Sequence, residues 1–275
     1  MEHKKLKGPN PWWFFALSLG ISWYFWLWII YFDLNVWQFP GAVLGGIGLF
    51  GPAAAEIILL IRFHTRELRI DWLHRVFDFR RISKEWHAVI WLTFPILNSF
   101  AILLSFLTGG SVPEFGIIAD LLSGPWRIIP YAIFILFMGP LPEELGWRGY
   151  ALDGLQERWN ALVSSIILGF VWMLWHLPLF FMKGTFQHDQ LGFLTPNFWM
   201  FCLGTIFTSI LFTWVYNNTN RSTLAAILFH FMINFSGEIF QMNELARTFQ
   251  LVLTIALSLI VVIIWGPSRL VREKK

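Results

Sequence analysis

The chain has 275 residues, of which 56% are hydrophobic, 19% aromatic and only 13% charged, and its formal net charge is +3. That composition excludes an ordinary soluble domain, and so small a charge excess gives no reason to expect a nucleic-acid partner. The single cysteine, Cys202, excludes an internal disulfide and sits mid-way along an apolar run, as a packing residue does.

Apolar stretches of about 20 residues, the length that crosses a bilayer, recur along the whole chain. They predict an all-α bundle of eight transmembrane helices, at roughly 11–33, 41–62, 88–108, 126–147, 159–181, 196–216, 222–242 and 246–265. The first follows Lys4, Lys5 and Lys7, as a signal peptide would, but its apolar core is too long and no small-residue cleavage site follows. It is expected to be an uncleaved first span. The second opens on Gly41, Gly45, Gly46 and Gly48, a spacing that lets helices approach closely in lipid. The 62–87 stretch interleaves basic residues with Phe63, Leu68, Trp72, Leu73, Val76, Phe77 and Phe79. It reads as an interfacial helix forming a lipid-facing collar, with a substrate-docking surface as the other reading. In the third span Asn98, just after Pro95, reads as interhelical glue. Trp12, Trp13, Trp37, Trp86, Trp126, Trp159 and Trp265 lie near span ends, where amphipathic rings favour the membrane interface. No linker divides the chain, so residues 1–275 are expected to form one membrane domain.

The basic residues set the orientation. With both termini in the cytoplasm, the inner segments hold Lys4, Lys5 and Lys7; Arg62, Arg66, Arg69, Arg75, Arg80, Arg81 and Lys84; Arg148 and Arg158; Arg221; and Arg269, Arg272, Lys274 and Lys275. Of the 20 Lys and Arg only Arg127, Lys183 and Arg247 fall outside, a bias that favours eight spans with both ends in the cytoplasm.

Chemistry concentrates where polar groups interrupt apolar sequence. In Gly139-Pro140-Leu141-Pro142 the prolines remove two backbone donors and disfavour a continuous helix. Pro142 suits the first turn of a new helix, and Glu143 and Glu144 follow it, facing unpaired N–H groups and the positive end of the helix dipole. Arg148 lies four residues after Glu144, on the same face, at ion-pair spacing. Glu143 points about 100° away and is free for another partner. Two later spans carry His176, four residues after Trp172, and His230 with Asn234, again four apart. Each alone reads as a hydrogen-bonded core residue. Together they comprise a base, a polarising partner and two donors, the roles peptide hydrolysis needs. Glu56, inside the second span, is either part of the site's wall or a brace. His188 and Asp189 fall in an external loop and are expected to be solvated.

The pattern Glu143-Glu144-x-x-x-Arg148, then Trp172-x-x-x-His176, then His230-x-x-x-Asn234 resembles the three signature motifs of the CPBP family. These are the type II CAAX prenyl proteases and their prokaryotic relatives, often described as intramembrane metalloproteases. The resemblance covers residues 126–240 and departs at Trp172, where the family commonly has Phe. It implies an intramembrane endopeptidase in which Glu143 with His176 activates water, His230 and Asn234 form an oxyanion hole, and Glu144 and Arg148 brace the site. It further implies a lipidated or membrane-bound peptide substrate and a site that opens to the cytoplasm, here of the cell membrane.

Glu143, His176 and His230 could also make a three-ligand zinc site with an open fourth position. Against that, there is no His-Glu-x-x-His pair, and the ligands come singly from three helices; a metal-independent, glutamate-activated water is the preferred reading. Two readings from other classes stand beside the protease. One is a non-proteolytic scaffold, such as the relatives linked to bacteriocin self-protection; the other is a proton-coupled transporter. No fixed-period repeat supports the transporter.

Overall fold

The computed structural model describes residues 10–111 and 115–272, so Lys4, Lys5, Lys7, Lys274 and Lys275 lie outside the described residues. The described chain is helical, with no strand beyond an isolated bridge between Asn35 and Lys183. Helix α1 (Pro11–Tyr31) starts where Asn10 accepts a hydrogen bond from the Trp12 N–H and Pro11 occupies the first turn. Its serines are buried inside the bundle, and Ser22 Oγ accepts from Trp175 Nε1 at 2.7 Å.

The second span is not one helix. It divides into α2 (Gly41–Leu49) and α3 (Gly51–Phe63), bent by 47° at Phe50. The cause is local. Pro52 cannot continue the hydrogen-bond ladder, and Gly51 sits so close to α1 that a β-carbon there would lie 3.1 Å from the Ser18 carbonyl oxygen. Counting the bent pair once, the helices long and apolar enough to cross a membrane number up to eight.

Helix α4 (Arg66–Phe77) follows as the expected surface helix. Ile70, Leu73 and Phe77 are exposed on its outer side. Its inner side adds to the lipid-facing collar a buried contact with the bundle. Arg75 is buried and bonds Asp153 Oδ2 at 2.6 Å and the Tyr216 hydroxyl at 2.8 Å. Burial alone would lower its pKa, but Tyr216 and Asp153 hold it above the ordinary guanidinium value. Arg221 grips the same aspartate from the far side, and Arg81 Nη1 donates to the Asn220 carbonyl at 2.6 Å.

Helix α5 (Lys84–Leu107) tolerates Pro95 in its interior. Asn98 there donates to Ser236 Oγ at 3.0 Å and accepts from Gln250 Nε2 at 2.8 Å, so it is the interhelical glue expected of it. A short helix, α6 (Gly116–Ser123), precedes the fourth span.

That span runs longer than the sequence suggested, over Pro125–Gln156 rather than ending at 147. It comprises α7 (Ile128–Phe137), a break at Met138–Gly139, α8 (Pro140–Gly146), a π-helical turn Trp147–Ala151 and α9 (Leu152–Gln156). Arg148, counted among the cytoplasmic bases, is therefore a wholly buried residue of the bundle. Four further α-helices follow among the described residues: α10 (Ala161–Trp175), α11 (Pro196–Asn218), α12 (Thr223–Phe240) and α13 (Glu244–Trp265). Trp147, Trp172, Trp175, Phe212 and Phe229 fill the core between them.

Candidate active site

The site grows from the break before α8. Two prolines in Pro140-Leu141-Pro142 stop one helix and start the next, so Glu143 and Glu144 fall within the first turns of α8, and both are buried. The Glu143 N–H closes the first turn by donating to the Gly139 carbonyl at 3.0 Å. Gly139 is also where α12 meets α8. A β-carbon on it would lie 3.2 Å from Glu143 Oε1 and 3.2 Å from Asn234 Nδ2.

The second oxygen of Glu143 accepts from the Trp172 indole N–H at 2.6 Å. The backbone carbonyl of Trp172 lies 2.8 Å from His176 Nδ1. A carbonyl only accepts, so His176 is the Nδ1–H tautomer, and its Nε2 keeps a lone pair. His176 follows directly after the end of α10, with its ring edge-on to Trp175 and Phe201. Trp172 thus touches both residues, one with its indole and the other with its backbone.

Glu144 takes two partners. Arg148 Nη1 bridges its oxygens at 2.8 and 2.9 Å, and His230 Nδ1 donates to Oε1 at 2.9 Å. The expected Glu144–Arg148 pair is present, whereas His230, read as a partner of Asn234, is tied to Glu144 instead. Its Nδ1–H is spent there, so neutral His230 has only a lone pair at Nε2. The Arg148 guanidinium lies 3.9 Å from the Phe212 ring centroid and 4.8 Å from that of Trp172, and Nη2 reaches Ser209 Oγ at 3.4 Å. A cation enclosed in this way is stabilised by roughly 2 kcal/mol per well-placed ring.

Glu56 is fully buried, hydrogen-bonded by the Trp72 indole, and packed against Gly149 rather than against the residues above. His188 and Asp189 lie in a π-helical turn (Gln187–Leu191) rather than a loop, and pair with each other at 2.6 Å, partly exposed. Among the described residues no group of three His, Cys, Asp or Glu side chains is placed to hold a metal ion. A groove of about 540 Å³ between α1 and α2, lined by Tyr24, Phe25, Trp28 and Leu44 among others, shares no residue with the cluster.

Several participants were not singled out from the sequence. Ser209, Phe212 and Tyr216 lie on α11 and Asp153 on α9, with no motif to mark them. Gly146, inside the charged motif, and Gly149, directly after it, are three apart, a signal left unused in the sequence. A β-carbon on Gly146 would lie 2.7 Å from the Phe14 ring and from the Pro52 carbonyl oxygen. The motif can pack against α1 and α3 only because these positions are bare.

Residues 125–236 match a model of the family described as type II CAAX prenyl endopeptidase Rce1-like. Over 200 residues, 72% of this chain and 72% of the relative, the sequence is 32% identical to CAAX prenyl protease 2 of Methanococcus maripaludis.

Proposed function

Because this chain belongs to the Rce1-like family of type II CAAX prenyl endopeptidases, and is therefore a membrane endopeptidase, we propose that it cleaves a peptide bond near the C-terminus of a prenylated substrate, using Glu143, His176, His230 and Asn234. Glu143 takes a proton from water, and the oxygen attacks the scissile carbonyl. His176 Nε2 accepts a hydrogen bond from the water's other O–H, which stays on the oxygen, and so aims the lone pair. Asn234 Nδ2–H donates to the oxyanion of the tetrahedral intermediate. His230 joins it as a donor only when its ring carries a second proton at Nε2, and the carboxylate of Glu144 stabilises that imidazolium. When the intermediate collapses, the C–N bond breaks and the departing amine takes up the proton first held by Glu143. Arg148 holds Glu144 in place. The observation that supports this reading is that Glu143 Oε1 and Asn234 Nδ2 both approach Gly139, each 3.2 Å from where a β-carbon on it would lie.

The reaction needs no resident metal in this scheme. The orientation proposed is both termini and the site's opening on the cytoplasmic side of the cell membrane, supported by the distribution of Lys and Arg. A substrate anchored by its prenyl chain would then approach laterally from the bilayer.

The test is cleavage of a fluorogenic farnesylated CaaX peptide by the purified protein, wild type beside Glu143→Ala, with and without a zinc chelator. Activity that disappears in Glu143→Ala and survives the chelator is expected. Loss with the chelator would replace the scheme by a zinc enzyme. An inactive wild type would turn the assignment toward non-prenylated membrane substrates or a scaffold.

A further inference from the structure

Glu56 takes no part in that scheme, yet its setting is unfavourable for a carboxyl. It is fully buried on α3; Oε1 accepts from the Trp72 indole, while Oε2 has no hydrogen-bond partner among the described residues. Burying a polar group with half its bonds unmade costs free energy that an apolar side chain of similar size would avoid. What the carboxyl touches suggests what it does. A β-carbon on Gly149 would collide with Glu56 Oε1, and would lie 3.3 Å from both Glu56 Cδ and Trp72 Nε1. One turn earlier on the same face of α3, the Pro52 carbonyl closes on Gly146 in the same way. So α3 seats twice against the motif, at Pro52 and Glu56, into places left by two glycines.

Gly149 adjoins Arg148 within the π-helical turn Trp147–Ala151. Such turns are rare and mark functional sites. While Gly149 presses on Glu56, Arg148 makes all its contacts elsewhere, with Glu144, Ser209, Phe212 and Trp172. We propose that Glu56, clamped by Trp72, is a positioning residue for the active site: it backs Gly149, fixes the π turn, and so aims Arg148 at Glu144 and Glu144 at His230. This rests on the roles given above to Glu144 and His230.

A double-mutant cycle on the full chain in lipid nanodiscs tests it, with Gly149→Ala, Glu56→Ala, the combination, and Glu56→Gln. Gly149→Ala pushes the turn off its support and is expected to lower kcat on the order of 10–100-fold with KM little changed. Removing the carboxyl makes room for the new methyl, so the double variant should recover most of that loss. Glu56→Gln, which still accepts from Trp72, should stay near wild type. ¹⁵N NMR of the His230 imidazole supplies a readout independent of turnover. The Nδ1–H resonance should shift in Gly149→Ala and return in the double variant. Equal losses from Gly149→Ala in both backgrounds, or an unmoved resonance, would overturn the proposal. If the wild type cleaves nothing, the functional reading fails and the resonance alone decides on Glu56. If Gly149→Ala does not fold, recovery of folding in the double variant supports the contact, and its absence overturns it.

Discussion

At the scale of single residues the hydrogen-bond directions decide which atoms are free to act. Glu144 occupies the Nδ1–H of His230 and the Trp172 carbonyl occupies that of His176, so both imidazoles keep Nε2 for chemistry. Trp172 illustrates how a ring can carry polar work. Its N–H is the donor that the structure gives Glu143 from another helix, a contact that a phenylalanine would lack. Trp172→Phe should therefore keep the fold and lower kcat about ten- to a hundred-fold, since a hydrogen bond to a charged group is worth about 1.5–3 kcal/mol; steady-state kinetics on the farnesylated peptide would check this. Asn234→Ala and His230→Ala, each removing a proposed oxyanion donor, should each cost on the order of 10²–10³ in turnover, with the melting profile unchanged in Asn234→Ala and lowered in His230→Ala, which strips a partner from buried Glu144. The sequence announced these polar residues because carboxylates and imidazoles are conspicuous in apolar runs. It did not announce the Glu144–His230 bond, which joins residues 86 positions apart and depends on how α8 and α12 cross.

At the scale of elements the molecule relies on buried ionic contacts both within a span and between helices. Arg148 and Glu144 are both inaccessible to solvent. Removing one partner leaves a bare charge, and Arg148→Ala should lower stability by roughly 3–5 kcal/mol; thermal unfolding in detergent measures it, and an unchanged profile would refute the bracing role. Asp153 holds α4 by accepting from Arg75 while also binding Arg221 and Tyr216. Asp153→Ala should loosen α4, and faster proteolysis within 64–83 than in the wild type would show it. The periodicity of α4 made its outer apolar stripe legible. The burial of Arg75 is not legible, because a basic residue near a span end gives no hint that an aspartate on another helix will enclose it. The bend at Phe50 had a visible cause in Gly51-Pro52, yet composition alone read straight through it, since both halves are apolar.

At the scale of the whole molecule, hydropathy locates the seven or, with the bent pair, eight helices able to cross a membrane, because a bilayer imposes its thickness on every span. Span ends were less legible. The fourth continues to Gln156 because protein encloses its charged turn, a property of neighbours rather than of the segment. The proposed orientation makes a direct prediction: a cysteine added at the C-terminus of a Cys202→Ala chain should resist impermeant maleimide in intact cells and react after lysis. Labelling without lysis would place that end outside. The two bare positions at Gly146 and Gly149 also bear on engineering. The charged signature is shaped to receive a phenylalanine of α1 and a carboxyl of α3. Grafted into another helical hairpin without those two surfaces, the same letters would lose their backing, so transplanting the activity requires moving the scaffold with the motif.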